Sequence, residues 1–209
     1  MKYDLTKPLT RGAQRTLADF AQTMLTVAGE EDFDRISVNE LCQRANYPRA
    51  TFYNYFDDKY DLLNYCWTRI SQEFHILPAA PQATSTDLVC YFDRLFTAFR
   101  KEMPAFNRIM QVNSLDGTLV SSFISFFRRK LRTLVGRCVV LNHQNLPPEL
   151  MTDHIANYIL LLVEWVFLIN HPVTHAQLHT YLFALLCGCQ MSNDLAGTNV
   201  SSGLIINCY

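Results

Sequence analysis

Residues 48–56 carry the side chains whose chemistry first suggests a function. Arginine can pair with guanine, asparagine with adenine, and a threonine methyl can contact the methyl group of thymine. Arg49, Asn54 and Thr51 supply all three types within six positions. Tyr53 adds a hydroxyl of the kind that contacts DNA phosphates. The segment therefore predicts a surface that reads double-stranded DNA.

This chemistry requires a helix whose apolar side is anchored in a core. Phe52 and Phe56 lie four positions apart, which places them on one helical face and leaves the polar side chains on the others. Upstream, Ser37 and Glu40 form an S-x-x-E capping pattern that predicts the start of a preceding short helix. Asn46 tolerates the left-handed conformation of a tight turn. Two short helices joined in this way predict a helix-turn-helix, with the recognition helix at about 48–56.

The overall charge gives this hypothesis no support. The 209-residue chain has a formal net charge of −1, and residues 1–59 hold eight Lys/Arg against nine Asp/Glu. A basic bulk composition would attract DNA phosphates without regard to sequence. The hypothesis therefore depends on where individual basic side chains lie. Because no Lys or Arg follows Arg137, the last third of the chain is a poor candidate for phosphate contact.

The segment SVNELCQRANYPRATFYNYFDDKYDLL resembles the signature of the TetR/AcrR family of regulators. The residues that stand in the family's places are Ala45, Tyr53, Phe56, Lys59 and Leu62. The chain departs from the pattern at the turn, where Asn46 replaces a glycine, and at Pro48, which replaces a small polar cap. Asn54 and Tyr55 also replace a commoner basic pair, which predicts an altered base preference.

The resemblance implies roles for individual residues. It implies phosphate contacts from Ser37, Tyr53 and Lys59. It implies positions at or near the bases for Arg49, Ala50, Thr51, Asn54 and Tyr55. Arg49 is the residue expected to read a base directly, and the simpler alternative is that it is a solvated surface arginine. For Ser37, the simpler alternative is that it only caps the helix.

An all-α fold of about nine helices is expected, because apolar residues recur at helical spacing and the prolines lie between the periodic runs. We expect a three-helix helix-turn-helix domain at 8–75, a helical effector-binding and dimerisation domain at 76–194, and a loosely ordered tail at 195–209. The predicted helices span 10–29, 39–45, 48–56, 58–74, 87–102, a short stretch after Pro104, 117–142, 148–170 and 173–192.

The middle of the chain is rich in aromatic residues, and the family builds its effector pocket in the equivalent helices. The resemblance therefore implies a repressor released from its operator by a small apolar or aromatic ligand. The expected pocket residues are Tyr91, Phe92, Phe96, Phe99, Phe106, Phe123, Phe127 and Glu164. The alternative is a regulator with a solid aromatic core that activates transcription or answers to a protein partner.

The last two long helices are apolar on more than one face, which predicts burial on more than one side. Family members dimerise through these helices, so the resemblance implies a homodimer on a near-palindromic site. The expected interface residues are Ile155, Tyr158, Leu162, Trp165, Leu178, Leu182 and Leu185. A large monomer core is the alternative.

Other chemistry finds little support in the sequence. His175 and His179 have the i, i+4 spacing of a ligand pair, but a surface or interface role is the expectation, and no metal or cofactor is predicted. The chain contains no nucleophile elbow, phosphate loop or HExxH motif, so we expect no enzyme. The longest apolar run is interrupted by Glu164 and is too short to span a membrane. Scattered cysteines and no apolar leader predict a cytoplasmic protein.

Overall fold

A computed structural model describes residues 9–73, 85–138 and 147–187. The regular structure in these three ranges is helical, with no strand among them, as the sequence predicts. The helices are α1 (Arg11–Ala28), α2 (Val38–Ala45), α3 (Arg49–Tyr55), α4 (Lys59–Glu73), α5 (Ser85–Lys101), α6 (Met103–Val112), α7 (Thr118–Cys138), α8 (Pro148–Val163) and α9 (His175–Cys187). The predicted 195–209 tail, and the predicted helix ends at 139–142 and 188–192, lie outside the described residues.

The turn between α2 and α3 follows the local sequence signals. Ser37 caps α2 by accepting a hydrogen bond from the backbone N–H of Glu40 at 3.1 Å. The Glu40 carboxylate lies 3.1 Å from the Arg44 guanidinium. Asn46 ends the helix in the left-handed region with φ 58°. Pro48 is the N-cap of α3. The helix therefore begins at Arg49, one position later than the predicted start at residue 48.

The N-terminal core is built around the ring of Phe20 on α1. Phe20 lies 5.4 Å from Phe52 and 6.1 Å from Phe56, both edge to face, and 5.3 Å from Tyr47. Phe20, Phe52 and Phe56 have no solvent-exposed surface. Aromatic pairs in these arrangements contribute more than their buried area alone. This cluster fixes the rotation of α3 about its own axis, and so decides which of its residues face outward.

The C-terminal core is a second aromatic cluster, formed by rings from α5, α6, α7 and the turn Glu164–Leu168 that follows α8. Phe99 is fully buried and has ring neighbours in Phe106, Phe123, Phe127 and Phe167, at 5.2 to 5.9 Å. The run predicted as one helix at 148–170 changes pitch, because α8 ends at Val163 and a π-helical turn spans Glu164–Leu168. The wider turn changes the angular spacing of side chains, which periodicity counting did not anticipate.

Three of the residues expected at the dimer interface are buried within the single chain. Leu162, Leu178 and Leu182 are 5%, 1% and 1% exposed and belong to the core of the single chain. A side chain without accessible surface has nothing to offer a partner. Leu161, by contrast, is 50% exposed, and Ile169 is 52% exposed. The apolar outer face therefore lies about one residue out of register with the expected one, while Ile155, Tyr158, Trp165 and Leu185 are half-buried.

The two halves of the molecule are joined by hydrogen bonds to the segment that follows α1. Asn113, at the end of α6, accepts from the Phe33 N–H at 2.9 Å and donates to the Ala28 carbonyl at 2.7 Å. Thr118, at the start of α7, donates to the Asp34 carboxylate at 3.0 Å. Residues 28–34, just before the helix-turn-helix, are thus held by the C-terminal helices.

The apolar stretch Pro148–Leu168 is long and apolar enough to cross a membrane by length and composition alone. The core helix of a globular protein satisfies the same test. Here Ala156, Ile159, Leu160 and Val163 of this stretch are buried in the protein's own core.

Candidate nucleic-acid interface

The outer face of α3 is polar and accessible. Arg49, Ala50, Tyr53 and Asn54 are all exposed, whereas Phe52 on the same helix is fully buried. A helix that enters a major groove needs this division, with an anchored apolar side and base-reading groups outward. The structure therefore brings together on one surface four of the residues that the sequence assigned to DNA.

Arg49 and Tyr53 are neighbours on this face, one helical turn apart. The Arg49 guanidinium donates to the Tyr53 hydroxyl at 3.4 Å and lies 5.9 Å from the centre of its ring. The hydrogen bond that Arg49 donates to the Tyr53 hydroxyl is the main cause that raises the pKa of Arg49 above its ordinary value. The contact orients the guanidinium, so that the N–H donors of Arg49 and the hydroxyl of Tyr53 lie side by side on the exposed face of α3.

Thr51 and Tyr55 are less available to DNA than the resemblance implies. Both are half-buried, and Tyr55 packs beside Phe56 with 6.4 Å between ring centres. Ser37 remains exposed at the N-terminus of α2, where its hydroxyl oxygen already accepts the capping hydrogen bond. A cap and a phosphate contact are compatible, because the same hydroxyl can still donate its proton.

Lys59 has a different geometry from the expected phosphate contact. Its ammonium donates to the carbonyls of Phe33, Asp34 and Ile36, at 2.9, 2.9 and 3.0 Å. An ammonium has three protons, and all three are used here. It also lies 4.8 Å from the centre of the Phe33 ring. In this conformation Lys59 ties the start of α4 to the loop before α2 and has no proton left for DNA.

A cavity of about 420 Å³ lies where α1, α4, α6 and α7 meet. Its wall is mainly apolar, with the charged side chains Glu30, Arg69, Glu102 and Arg108 among the lining residues. The other lining residues include Leu25, Trp67, Ile70, Ala105, Phe106, Ile109, Met110, Leu119, Val120, Phe123 and Leu168. Sequence reasoning missed α1 and α4 as walls, because no local pattern reports contacts between segments this far apart in the chain.

Only Phe106 and Phe123 of the expected pocket residues line this cavity. Phe92, Phe96, Phe99 and Phe127 are buried in an aromatic core outside this cavity wall, and Phe96 also borders a separate surface cleft beside Arg100 and Lys101. Two aromatic rings at van der Waals contact leave no room for a ligand between them.

The two other expected pocket residues also lie outside the cavity wall. Tyr91 lies beneath Arg94, with 5.7 Å from the guanidinium to the ring centre. Glu164 begins the π-helical turn, where burial raises its pKa and Arg128 opposes the shift.

A second polar group lies away from α3, between α5 and α9. The Asp93 carboxylate has one oxygen 3.1 Å from His175 Nε2 and 2.5 Å from His179 Nε2. The i, i+4 spacing marks the two histidines in the sequence, but no local pattern connects them with Asp93, which is more than eighty positions earlier.

The fold and the exposed face of α3 together define a helix-turn-helix domain. The family model for bacterial regulatory proteins of the tetR family matches residues 25–66, which include α2, α3 and the start of α4. This N-terminal segment is therefore similar to the DNA-binding part of that family. No curated protein matches the chain significantly.

Solved structures share the fold over most of the chain. A TetR-family transcriptional regulator from Syntrophomonas wolfei is 13% identical, with a TM-score of 0.55, covering 83% of this chain and 94% of the other. The dihydroxyacetone kinase operon activator DhaS is 15% identical with a TM-score of 0.57, covering 83% and 95%. The flavonoid-responsive regulator FrrA is 19% identical with a TM-score of 0.53, covering 83% and 94%.

Proposed function

We propose that this protein is a homodimeric repressor that binds a near-palindromic operator through α3 and is released by a small, largely apolar ligand. The observation that carries the DNA-binding part is the division of α3 into a buried side, with Phe52, and an exposed side, with Arg49 and Asn54. Such a repressor works on DNA inside the cell, which agrees with the cytoplasmic location expected from the sequence.

The contacts on α3 divide into two roles. Arg49 reads a base, because its guanidinium can make two parallel hydrogen bonds to guanine, and Asn54 can do the same with adenine. Tyr53 donates to a phosphate and also orients Arg49 through their mutual contact. Ala50 has only a methyl side chain, which allows close approach of the helix to the base edges. Thr51, Tyr55 and Ser37 make supporting contacts at the border of this surface.

Selection of bound sequences from random double-stranded DNA tests the proposal. We expect a near-palindromic consensus whose half-sites are about one helical turn apart. Arg49→Ala should relax the preference at one position of each half-site, whereas Tyr53→Phe should weaken binding to all sequences alike. Arg129→Ala, an exposed arginine on α7, is the matched control and should bind normally. A random set of recovered sequences, or equal loss on every sequence for Arg49→Ala, contradicts the assigned roles.

The dimer interface is assigned to the outer apolar face of α8 and the turn that follows it. Leu161 and Ile169 expose half of their surface there, beside the half-buried Tyr158 and Trp165. Exposed apolar groups on one face favour association, because their burial removes apolar area from water. Leu161→Glu should convert the dimer to a monomer in sedimentation experiments. Leu115→Glu replaces an equally exposed leucine between α6 and α7 and should leave the dimer intact.

The cavity supports a small-molecule effector over a protein partner as the signal. Its volume of about 420 Å³ lies in the range of ligand pockets, which combine apolar walls with a few polar groups. Arg69 and Arg108 could bind an acidic group of a mainly apolar ligand. One of the similar structures is named a flavonoid-responsive regulator, and a planar aromatic ligand would also suit these walls. Another is named an operon activator, so activation is the alternative sign of regulation.

Release from DNA would follow from the position of the cavity. It is bounded on one side by Leu25 and Thr26 of α1 and on the other by Ile109 of α6. Asn113, four residues beyond Ile109, holds the Ala28 carbonyl and the Phe33 N–H. A ligand that moves α6 away from α1 therefore pulls on the segment before the helix-turn-helix. Such a ligand shifts the population of dimers away from the arrangement that fits the operator.

The aromatic probe 1-anilinonaphthalene-8-sulfonate tests the cavity, because it combines an apolar ring system with one anionic group. We expect saturable fluorescence on the folded protein, loss of that signal in Ala105→Trp, and retained operator binding by the variant. Ser125→Trp, at an exposed position on α7, should behave like the parent protein. If the probe does not bind, or binds Ala105→Trp equally well, the cavity is not the effector site and the alternative of a protein partner is favoured.

A further inference from the structure

We propose that Asp93, His175 and His179 bind a zinc ion that links α5 to α9. The three side chains offer one ligand atom each, and these atoms lie within 4.8 Å of one another. The site is separate from α3 and from the cavity, and nothing in the proposed function requires it.

The helical spacing of the two histidines favours a shared ligand. His175 and His179 lie one turn apart on α9, so their rings project from the same face, with 4.9 Å between ring centres. Both Nε2 atoms approach the same oxygen of Asp93, at 3.1 and 2.5 Å. Three ligand atoms from two helices thus converge on one point. A simple salt bridge would need only one histidine beside the carboxylate.

The distances suit a tetrahedral ion after a small adjustment. Zinc binds imidazole nitrogen and carboxylate oxygen at about 2.0–2.2 Å, which separates neighbouring ligand atoms by roughly 3.3 Å. The distance from Asp93 to His175 is already 3.1 Å. The distance from Asp93 to His179 is 2.5 Å and must increase by roughly 0.8 Å. All three side chains are at least partly exposed to solvent, so a rotation of the Asp93 carboxylate can supply this change.

Two histidines and one carboxylate define the chemistry of the site. This ligand set is one that zinc uses when a fourth position stays open to water or another ligand. His175 also lines a surface cleft with Arg100 and Lys101, which gives the ion a path from solvent. The positive charges of Arg100 and Lys101 repel Zn²⁺. We therefore expect the fourth ligand of the ion to be an anion such as hydroxide or a carboxylate, which reduces the positive charge at the site.

The packing around the histidines gives the ion a structural role. The His175 ring lies 5.6 Å from Phe96, at a tilt, and the His179 ring lies 6.3 Å from Phe92, and both phenylalanines are on α5. An ion bound here would hold α9 against α5 more firmly than hydrogen bonds alone. Because folded protein binds the ion and unfolded protein does not present this site, zinc should raise the melting temperature.

The test is zinc titration of the full chain after removal of metals with EDTA, followed by calorimetry and thermal unfolding. We expect one ion per chain and a rise in melting temperature of roughly 5 °C or more at zinc a hundred times above Kd. Asp93→Asn, His175→Gln and His179→Gln should each weaken binding by at least about 100-fold, because loss of a ligand exceeds the effect of losing an outer-shell partner. Circular dichroism without metal checks that each variant folds, and the isosteric Asp93→Asn remains informative if a histidine variant does not.

The matched control is His171→Gln, which removes a histidine that stacks on Trp165 instead of joining the cluster. It should bind zinc as the parent does. Substitution of Co²⁺ for zinc distinguishes the ligands, because bound thiolate gives a charge-transfer band in the near ultraviolet and nitrogen and oxygen ligands do not. The proposal is overturned if the parent binds no zinc, if the three variants bind it as tightly as the parent, if His171→Gln loses it equally, or if the bound cobalt shows the thiolate band.

Discussion

The N-terminal helices and the C-terminal helices of this protein are stabilised in different ways. In the first, a small aromatic cluster around Phe20 is reinforced by a helix cap at Ser37 and by the three hydrogen bonds of Lys59. In the second, tilted and edge-to-face phenylalanine rings form a solid core, and a cavity of about 420 Å³ separates part of these helices from α1 and α4. The part that presents α3 is held by specific local contacts, while the unfilled space lies at its border with the C-terminal helices, where the ligand is proposed to bind.

The largest expected effect separates the solid core from the cavity wall. Phe99→Ala should lower the free energy of unfolding by about 3–5 kcal/mol, because it leaves a void in a packed core. Phe106→Ala should cost less than half as much, because Phe106 is half-buried and already borders open space. Urea unfolding of both variants measures the difference. Equal losses would show that the two aromatic positions are packed alike.

The next effect concerns the junction between the two parts. Asn113→Ala should cost about 3 kcal/mol, because the Phe33 N–H and the Ala28 carbonyl both lose their buried partner. The same change should reduce the response of operator binding to the anilinonaphthalene probe. Asn107→Ala, on the preceding turn of α6, serves as the control for helix content. Unchanged stability in the Asn113 variant would mean that other contacts carry the connection.

A smaller effect tests the role of Lys59. Lys59→Met should lower the free energy of unfolding by about 2 kcal/mol, because three carbonyls lose a charged donor and water replaces it only in part. Arg49→Ala should leave stability unchanged and affect only DNA binding. If Lys59→Met unfolds like the parent protein but binds DNA with a reduced salt dependence, Lys59 acts mainly on phosphate.

The smallest effect concerns the thiols of the two regions. Burial raises the pKa of the Cys66 thiol to about 12, and burial also raises the pKa of the Cys42 thiol. Cys90 on α5 is exposed. Because the thiolate is the reactive form, iodoacetamide should modify Cys90 in the native protein at least about a hundred times faster than Cys66. Mass spectrometry of the digested protein reads both rates, and rapid labelling of Cys66 would show that the N-terminal core opens readily.

The sequence by itself determined the helix-turn-helix and the outward side of α3. Its signals are local, since the Ser37 cap, the Asn46 turn and the Phe52–Phe56 spacing each act within a few residues. The same holds for the helix boundaries, which fall within a few residues of the expected ones wherever the structure describes them. A capped helix with one apolar face has few ways to pack, so its polar face can be inferred without coordinates.

The tertiary structure alone decided which apolar residues of α8 and α9 are core and which are surface, and where the chain leaves a cavity. Leu161 and Leu162 are adjacent residues of the same type, and the sequence around them does not predict that the first is half exposed and the second is buried. The three-proton contact of Lys59, the hold of Asn113 on the segment after α1, and the meeting of Asp93 with His175 and His179 join residues 23 to 86 positions apart. Such contacts depend on how helices pack together, and helix packing depends on the whole core instead of any short segment.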